Sequence, residues 1–534
     1  MTSTDTETMP QGVPSLAVWR VAWQAWERVE RAFDAAFGAR GNPLRHLGAL
    51  GFLFFWVMLG TGLYLYIVFE GTAEGAYRSI DALSSSVFGS AIRSLHRYAA
   101  DGFVVVTALH LVRELLAGRF SGARWFSWVT GVLLIWFLYA SGIGGYWLVG
   151  DQLAQWSLTA TAEWLDTLPL FGLSMVRNFL SSGQMSDRFY ALLSFLHVAI
   201  PLTLLLGMWL HIQRVTRPDV APTRALMLGT LATLVALSLV RPVASMPPPD
   251  YGAVPVAVAV DWYLLFIHPL MDATSPVALW AIAGFGTLAL VMLPWLARVR
   301  RAPVALVDPA NCNGCGRCFA DCPFGAVVVE PRTDGRRGAG LARVLPELCV
   351  SCGICAGACP SSTPFRTVVE LVTGIDMPQL SLAEMRARLD RALAGIAGSP
   401  RILVFGCDCA ADARKLERTD TGVISLLCTG QLPPSFIDYA LRSGADGVLV
   451  TGCAEDGCYY RHGNTWAAQR IAGDREPHLR VSVPRERVRI AWADATRLDD
   501  LRAAMEAFRS TLAALPPDPQ RRTTWPKRKE AAIG

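Results

Sequence analysis

Between Leu47 and Ala297 the chain carries six apolar runs, each close to the roughly 20 residues a helix needs to cross a bilayer. They fall at 47–69, 92–117, 127–149, 189–213, 225–241 and 276–297. In lipid every backbone N–H and C=O must find its partner inside the chain, so runs of this kind fold as helices and bundle. A mean hydropathy of +0.34 and a charged fraction of 17% agree, against about 25% in an average soluble protein. A net charge of +5 over 58.0 kDa does not point to a nucleic-acid partner, and none is expected.

Loop charges set an orientation. Arg119 and Arg124, then Arg214, Arg217 and Arg224, then Arg298, Arg300 and Arg301 fall on one side of a six-helix bundle. Glu70, Glu74, Asp151, Glu163, Asp166, Asp250 and Asp272 occupy the other loops. The positive-inside rule then puts both termini in the cytoplasm. Residues 1–45 are polar to amphipathic, and Leu16 to Phe37 reads as a helix lying on the membrane surface. No short apolar core with a small-residue cleavage site is seen there, so no signal peptide is expected.

The second run holds His96 and His110 and the fourth holds His197 and His211, fourteen residues apart in each case. Fourteen residues make about 3.9 turns and about 21 Å of rise, so each pair shares one helix face. A histidine in lipid is costly without a partner. It can hydrogen-bond within the bundle, but two pairs at equal spacing suit two stacked metal centres, and imidazole is an axial ligand of haem iron. Gly48 and Gly62 in the first run, and Gly131 and Gly145 in the third, repeat the interval. Glycine serves close helix contact in membranes; without a Cβ it also lets a flat macrocycle approach the backbone. Its register with the histidines favours the second use.

The stretches SLHRYAADGFVVVTALHLVR, WVTGVLLIWFLYASGIGGYWLVGDQ and RFYALLSFLHVAIP carry a resemblance, over residues 30–297, to cytochrome b of the respiratory and photosynthetic quinol-oxidising complexes. The resemblance implies two b haems. His96 and His197 would hold one near the outer face, and His110 and His211 the other near the cytoplasm. It places Arg97 and Arg113 near haem propionates and implies a quinol pocket after the third helix and before the sixth. There the sequence departs from the family pattern: Val149 and Gly150 stand where the family has Pro-Trp, and its Pro-Glu-Trp-Tyr appears as Val260, Asp261, Trp262 and Tyr263. A carboxylate beside a quinol oxygen suits proton exchange, so Asp261, with Tyr263, is the candidate catalytic pair. A solvated acid capping the last helix is the alternative. His268 is a further polar candidate. With no cysteine in this half, thiolate attachment of an extra haem is not expected.

All thirteen cysteines lie between Cys312 and Cys458. A disulfide scaffold would be short and secreted, so metal ligation in a reducing compartment is the better reading. Cys312, Cys315, Cys318 and Cys322 form C-x2-C-x2-C-x3-C before Pro323, and Cys349, Cys352, Cys355 and Cys359 repeat it before Pro360. Zinc sites rarely repeat this spacing. The run resembles the bacterial two-cluster ferredoxins over 304–365, in which the fourth cysteine of each motif serves the other cluster. The resemblance implies one 4Fe–4S cluster on Cys312, Cys315, Cys318 and Cys359, and a second on Cys349, Cys352, Cys355 and Cys322. Val329 to Pro346 exceeds a minimal ferredoxin and reads as a loop.

Residues 366–400 read as a mostly helical linker, and 513–534 as a basic disordered tail. Between them, ILVFGC, VISLLC, GVLVTGC and RVRIAWA alternate with helical stretches, an α/β pattern. Cys407, Cys409, Cys428, Cys453 and Cys458 sit at the ends of the first three strand-like runs, where open α/β sheets place their sites. The stretch from ILVFGCDC to GCYYRHGN resembles the delta subunit of methyl-viologen-reducing hydrogenase over 401–512. That implies a 2Fe–2S cluster on four of the five thiols, although C-x-C replaces the family's usual C-x2-C. His462 fits the family run and reads as structural.

The expected fold class is multidomain: an all-α transmembrane bundle of six helices (46–299), an α+β two-cluster ferredoxin and an α/β iron–sulfur domain. The order of parts reads as a wire from a quinone pocket through two haems to two cubanes and a further cluster. The resemblances imply membrane-bound electron transfer between membrane quinone or quinol and a cytoplasmic heterodisulfide-reductase-like flavin and iron–sulfur complex. A bacterial or archaeal cytoplasmic membrane and a homodimer are implied in the same way. No G-x-G-x-x-G follows a strand, so the chain is not expected to carry a dinucleotide site of its own. The other readings are the membrane anchor and electron-transfer subunit of a hydrogenase, and a non-catalytic redox sensor.

Overall fold

The computed structural model describes residues 17–38, 41–121, 124–168, 186–213, 218, 220–250, 252–253, 255, 257–296, 303–336, 338, 340–346, 348–365, 371–454, 458–494 and 497–516. The tail expected over 513–534 lies outside the described residues from 517 onward. The chain divides into two compact units, Val13–Arg298 and Met1–Gly12 with Val299–Gly534.

The first unit is helical: α1 (Ala17–Phe37), α2 (Leu47–Val68), α3 (Gly75–Ser84), α4 (Val87–Leu116), α5 (Trp125–Val149), α6 (Gln152–Asp166), α7 (Asp187–Ile212), α8 (Arg224–Val240), α9 (Ile267–Ala273) and α10 (Pro276–Leu296). A helix stands at each of the six apolar runs, but among the described residues α2, α5, α7 and α10 are the four long and apolar enough to cross a membrane. Two of the expected six spans fall short of that measure for different reasons. α8 is 17 residues long, and the 30-residue α4 carries Arg93, Arg97, Asp101, Arg113 and Glu114 among its apolar residues.

Local chemistry sets the ends. The Ser86 hydroxyl accepts from the Gly89 N–H at 3.0 Å and starts α4 ahead of its apolar run. Gly150, left-handed at φ 65°, closes α5, and Asp151 accepts from the Ala154 N–H at 2.9 Å to open α6. α3, α6 and α9 were not legible as helices because hydropathy marks spans, not amphipathic connectors. α2 packs along α4 and α5 along α7, around Leu47, Leu50, Phe54, Phe103, Leu138 and Leu204.

In the second unit β1 (Leu306–Val307), β2 (Val327–Pro331), β3 (Gly340–Val344) and β4 (Ile375–Asp376) pair antiparallel, β1 with β4 and β2 with β3. The expected loop over 329–346 is therefore largely a hairpin. Val327 and Ala342 turn into the core, and Arg343 pairs with Glu330 across the strands at 2.7 Å. Short helices α11 (Arg317–Ala320) and α12 (Ile354–Ala358) lie within the two cysteine motifs, carrying Cys318 and Cys355, the third cysteine of each. The motifs share one backbone path: Gly314 (φ 68°) matches Ser351 (φ 62°), and Gly316 (φ 74°) matches Gly353 (φ 75°). These left-handed positions turn the chain so that successive thiols converge.

Helix α13 (Leu382–Gly395) sends Leu382, Met385, Leu389 and Leu393 into a core shared with Leu403, Phe405, Cys318 and Cys355. The four strand-like runs read from the sequence become β5 (Ile402–Cys407), β6 (Thr421–Leu426), β7 (Gly447–Gly452) and β8 (Val488–Trp492). They form a parallel sheet in the order β6-β5-β7-β8, with α14 (Ser435–Arg442), α15 (Gly463–Ala472) and α16 (Leu498–Ala513) as its helices. β5 and β7 are buried along their whole length, as central strands of a parallel sheet are. Cys407, Cys428 and Cys453 end or follow β5, β6 and β7 and share the carboxyl edge of the sheet.

Candidate functional site

The four histidines meet in two pairs. The His96 and His197 ring centres are 6.4 Å apart and the His110 and His211 centres 6.5 Å, with the rings near perpendicular. Two metal–imidazole bonds of about 2 Å each, plus about 1 Å from nitrogen to ring centre on either side, span about 6 Å. The separation thus fits one iron between each pair.

Each glycine faces one histidine. A Cβ at Gly62 would stand 3.1 Å from His96 Cε1, at Gly145 2.9 Å from His197 Cε1, at Gly131 2.9 Å from His211 Cε1 and at Gly48 3.9 Å from His110 Cε1. A cavity of about 510 Å³ runs between His96 and His197, lined also by Gly62, Gly145, Arg97 and Leu138. The residues present therefore fit a flat iron macrocycle.

Sequence reasoning missed the groups that orient these rings. Thr61 gives its hydroxyl proton to the Val57 carbonyl at 2.7 Å, so at 3.0 Å from His96 Nδ1 it accepts. Thr130 gives its own to the Phe126 carbonyl at 2.8 Å and accepts from His211 Nδ1 at 3.2 Å. His197 Nδ1 donates to the Ser141 carbonyl at 3.1 Å. With Nδ1 protonated, the Nε2 lone pair is left to a metal. The missed signal is local: Thr61 and Thr130 each precede one of the facing glycines.

Asp261 is buried and held on three sides. Arg97 Nη2 lies 2.7 Å away, the Tyr146 hydroxyl donates to Oδ2, and the Tyr263 N–H donates to Oδ1 at 2.8 Å. Arg97 also stacks over the Tyr146 ring at 4.4 Å and pairs with Asp101 at 3.3 Å. The hydroxyl at Asp261 is thus that of Tyr146, while the Tyr263 ring is 52% exposed. His268 is buried, but its partner at 2.8 Å is the Ser157 hydroxyl. Arg113 donates to Glu30 at 2.8 Å, a fully buried carboxylate that also takes the Trp26 indole N–H at 2.7 Å.

In the second unit Cys322, Cys349, Cys352 and Cys355 line one small cavity of about 20 Å³. Cys318 has Cys359, Cys315 and Cys312 as its electrostatic neighbours. Each motif's fourth cysteine therefore stands with the other motif's first three. Burial pushes the Cys318 and Cys352 thiols up to about 12, so the thiolate form is disfavoured unless positive iron compensates it. Among the described residues no three His, Cys, Asp or Glu side chains converge as ligands of a single ion.

The five remaining thiols form one group. The thiols of Cys409, Cys428 and Cys453 hold Cys407 well below the usual range, and those of Cys428 and Cys453 hold Cys458 down to about 3. Cys407, Cys453 and Cys458 are buried together with Ala410, and Cys409 packs against them. A Cβ at Gly463 would strike Cys428 Sγ, so only glycine admits that sulfur so close to α15.

Comparison with known proteins covers all three parts. Residues 42–217 match the family described as cytochrome b/b6/petB, 308–363 the 4Fe–4S dicluster domain, and 402–516 the delta subunit of methyl-viologen-reducing hydrogenase. Cytochrome b6 of Euglena gracilis is 32% identical over 173 residues, which are 32% of this chain and 80% of that protein. Cytochrome b6 of Heliobacterium mobile is 34% identical over 152 residues, 27% of this chain and 71% of that one. A solved chain described as "Hyperthermophilic respiratory Complex III" aligns at a TM-score of 0.42 and 19% identity, covering 50% of this chain and 80% of that chain.

Proposed function

The chain belongs to the cytochrome b family, and from that premise we propose that it is a membrane electron-transfer subunit exchanging electrons between the quinone pool and a cytoplasmic redox partner. Two b haems, two 4Fe–4S clusters and one 2Fe–2S cluster are the carriers. The observation that supports this reading is the register of four glycines on four paired histidines, which suits a stacked pair of macrocycles.

His96 with His197 and His110 with His211 hold the haems, which when bound supply one-electron conduction through the bundle. Thr61, Thr130 and the Ser141 carbonyl keep the ligating rings in the tautomer that presents Nε2. Asp261 exchanges protons with quinone or quinol at its carboxylate, and Arg97 and Tyr146 position it. Cys312, Cys315, Cys318 and Cys359 hold one cubane, and Cys322, Cys349, Cys352 and Cys355 the other. Four of Cys407, Cys409, Cys428, Cys453 and Cys458 hold the last cluster. The bundle has six spans with the iron–sulfur domains on the cytoplasmic side, in a bacterial or archaeal cytoplasmic membrane. The soluble partner is a heterodisulfide-reductase-like flavin and iron–sulfur complex, and the assembly is a homodimer in the membrane.

A second reading is favoured by the delta-subunit match alone: the last domain docks a hydrogenase, and the chain is that enzyme's membrane anchor. Purification with associated subunits separates the two. For either, a quinol analogue should reduce the b-type bands in a reduced-minus-oxidised spectrum. Haem bands that stay oxidised with quinol yet reduce with dithionite would reject the quinone link.

A further inference from the structure

Two groups of four thiols share the second unit with the five terminal thiols, and one of them is packed directly against the terminal group. Cys352 and Cys428 lie in a single buried apolar cluster with Ile354 and Tyr460, and Phe324, Val350, Cys409, Tyr459 and Trp466 pack around it. Cys352 stands with Cys322, Cys349 and Cys355; Cys428 and Cys409 belong to the terminal group. None of Cys312, Cys315, Cys318 and Cys359 enters that cluster among the described residues. Tyr460 thus shares one buried cluster with a thiol of each site, Cys352 and Cys428, and Cys409 packs against it.

Glycines make the approach possible. A Cβ at Gly357 of α12 would strike the Gly430 carbonyl, one at Gly430 would lie 3.0 Å from Gly463 Cα, and one at Gly463 would strike Cys428 Sγ. At these three positions along the seam any side chain would collide with its neighbours. Charged clamps then hold it shut. Arg470, fully buried, donates to the Gly430 carbonyl at 2.8 Å and pairs with Asp321, the residue before Cys322. Arg461, next to Tyr460, takes a left-handed backbone at φ 71°. Its guanidinium reaches the Pro323 carbonyl at 2.6 Å and lies 5.6 Å over the Phe324 ring. That left-handed turn is costly for a residue with a Cβ, and here it binds the Tyr460 segment to the turn behind Cys322.

We propose that Tyr460 is the bridge between the cluster held by Cys322, Cys349, Cys352 and Cys355 and the terminal cluster, making that cubane the terminal cluster's direct electron partner. This rests on the clusters assigned above. One electron leaves one site and enters the other; one is oxidised, the other reduced, and no bond or proton moves. Tunnelling weakens steeply across gaps, and a close-packed aromatic leaves none. Tyr460 is then a positioning and conducting residue, with no part in ligation.

Electron paramagnetic resonance on the dithionite-reduced full chain tests the contact without turnover. Cys315→Ser leaves the cubane nearer Tyr460 and Cys352→Ser leaves the other. Adding Cys428→Ser and Cys453→Ser removes the terminal spin. In the Cys315→Ser background this removal is expected to lower the microwave power for half-saturation of the cubane signal several-fold. In the Cys352→Ser background it should change it less than twofold. The reverse pattern, or equal effects in both, overturns the proposal. In the otherwise unaltered chain, Tyr460→Phe should keep the rate of electron equilibration between the two sites within about twofold and Tyr460→Leu should slow it at least tenfold. An unchanged rate in Tyr460→Leu overturns the bridge. A chain that shows this coupling while quinol fails to reduce its haems loses the quinone-linked function and keeps the bridge.

Discussion

The hydroxyl of Thr61 and the Nδ1 nitrogen of His96 stand 3.0 Å apart, with the hydroxyl proton already committed to the Val57 carbonyl. As an acceptor the threonine favours the ring protonated at Nδ1, which leaves Nε2 to a metal. Thr130 and His211 repeat the arrangement at 3.2 Å. Removing such a supporting bond typically costs about 10–100-fold in metal affinity. Thr61→Val should therefore lower haem occupancy at the His96 site, and Thr61→Ser should keep it. Haem titration of the isolated membranes, followed in the b-type bands, reads the difference.

The facing glycines differ in their clearance. Gly131→Ala and Gly145→Ala put a methyl 2.9 Å from a histidine ring, whereas Gly48→Ala puts one at 3.9 Å. The first two should each remove about half of the haem b absorbance, and Gly48→Ala should keep most of it. Equal losses at all three positions would contradict the ranking.

Asp261 is buried and pairs at 2.7 Å with the half-buried Arg97, and truncating one partner of a fully buried pair costs about 3–5 kcal/mol, an upper bound here. Arg97→Met should be destabilising within that bound, and Arg97→Met with Asp261→Leu less so than the single change. Asp261→Asn should slow quinol-driven haem reduction at least tenfold while leaving the dithionite-reduced spectrum intact. Stopped-flow reduction and a double-mutant cycle in thermal melts check both halves.

Burial holds the Cys318 and Cys352 thiols up to about 12, while Cys315 is exposed. With a thiol at about 12, roughly one molecule in ten thousand carries the reactive thiolate at pH 8. Once a chelator has removed the iron, iodoacetamide should label Cys315 first. Labelling of Cys318 and Cys352 should lag by about 100-fold and rise about tenfold per pH unit as pH climbs toward 12. Peptide mass spectrometry over a pH series gives the order.

Arg470 is buried, and burial lowers its tendency to hold charge while Asp321 beside it raises it. Asp321→Asn leaves the guanidinium without its counter-charge, at a cost of about 3–5 kcal/mol. The full chain should then lose its iron–sulfur absorbance at a distinctly lower denaturant concentration. Asp321→Asn with Arg470→Met should recover part of the loss.

Elements with a local period were legible in the sequence. The helices on the apolar runs follow from run length, the histidine and glycine faces from the 3.6-residue helical period, and the strands of the parallel sheet from short apolar runs. The repeated cysteine motif takes the same left-handed turns twice because its spacing is the same twice. The hairpin of β2 and β3 reads as a loop in the sequence because each strand has only five residues, of which just Val327 in β2 and Gly340 and Ala342 in β3 are buried. α6 went unread because it is only 15 residues long and carries Gln152, Gln155, Glu163 and Asp166 among its apolar residues, so it does not stand out as a span.

What the sequence by itself determined is the inventory: paired imidazoles at matched intervals, glycines in step with them, eight thiols in ferredoxin spacing and five at strand ends. Tertiary structure alone decided which groups meet. It brought Tyr146 rather than the Tyr263 ring to Asp261, Thr61 to His96, and Tyr460 among Cys352, Cys409 and Cys428. The reason is physical. Helix and strand periods constrain neighbours within a few residues, whereas these contacts join distant positions whose meeting depends on how whole elements pack.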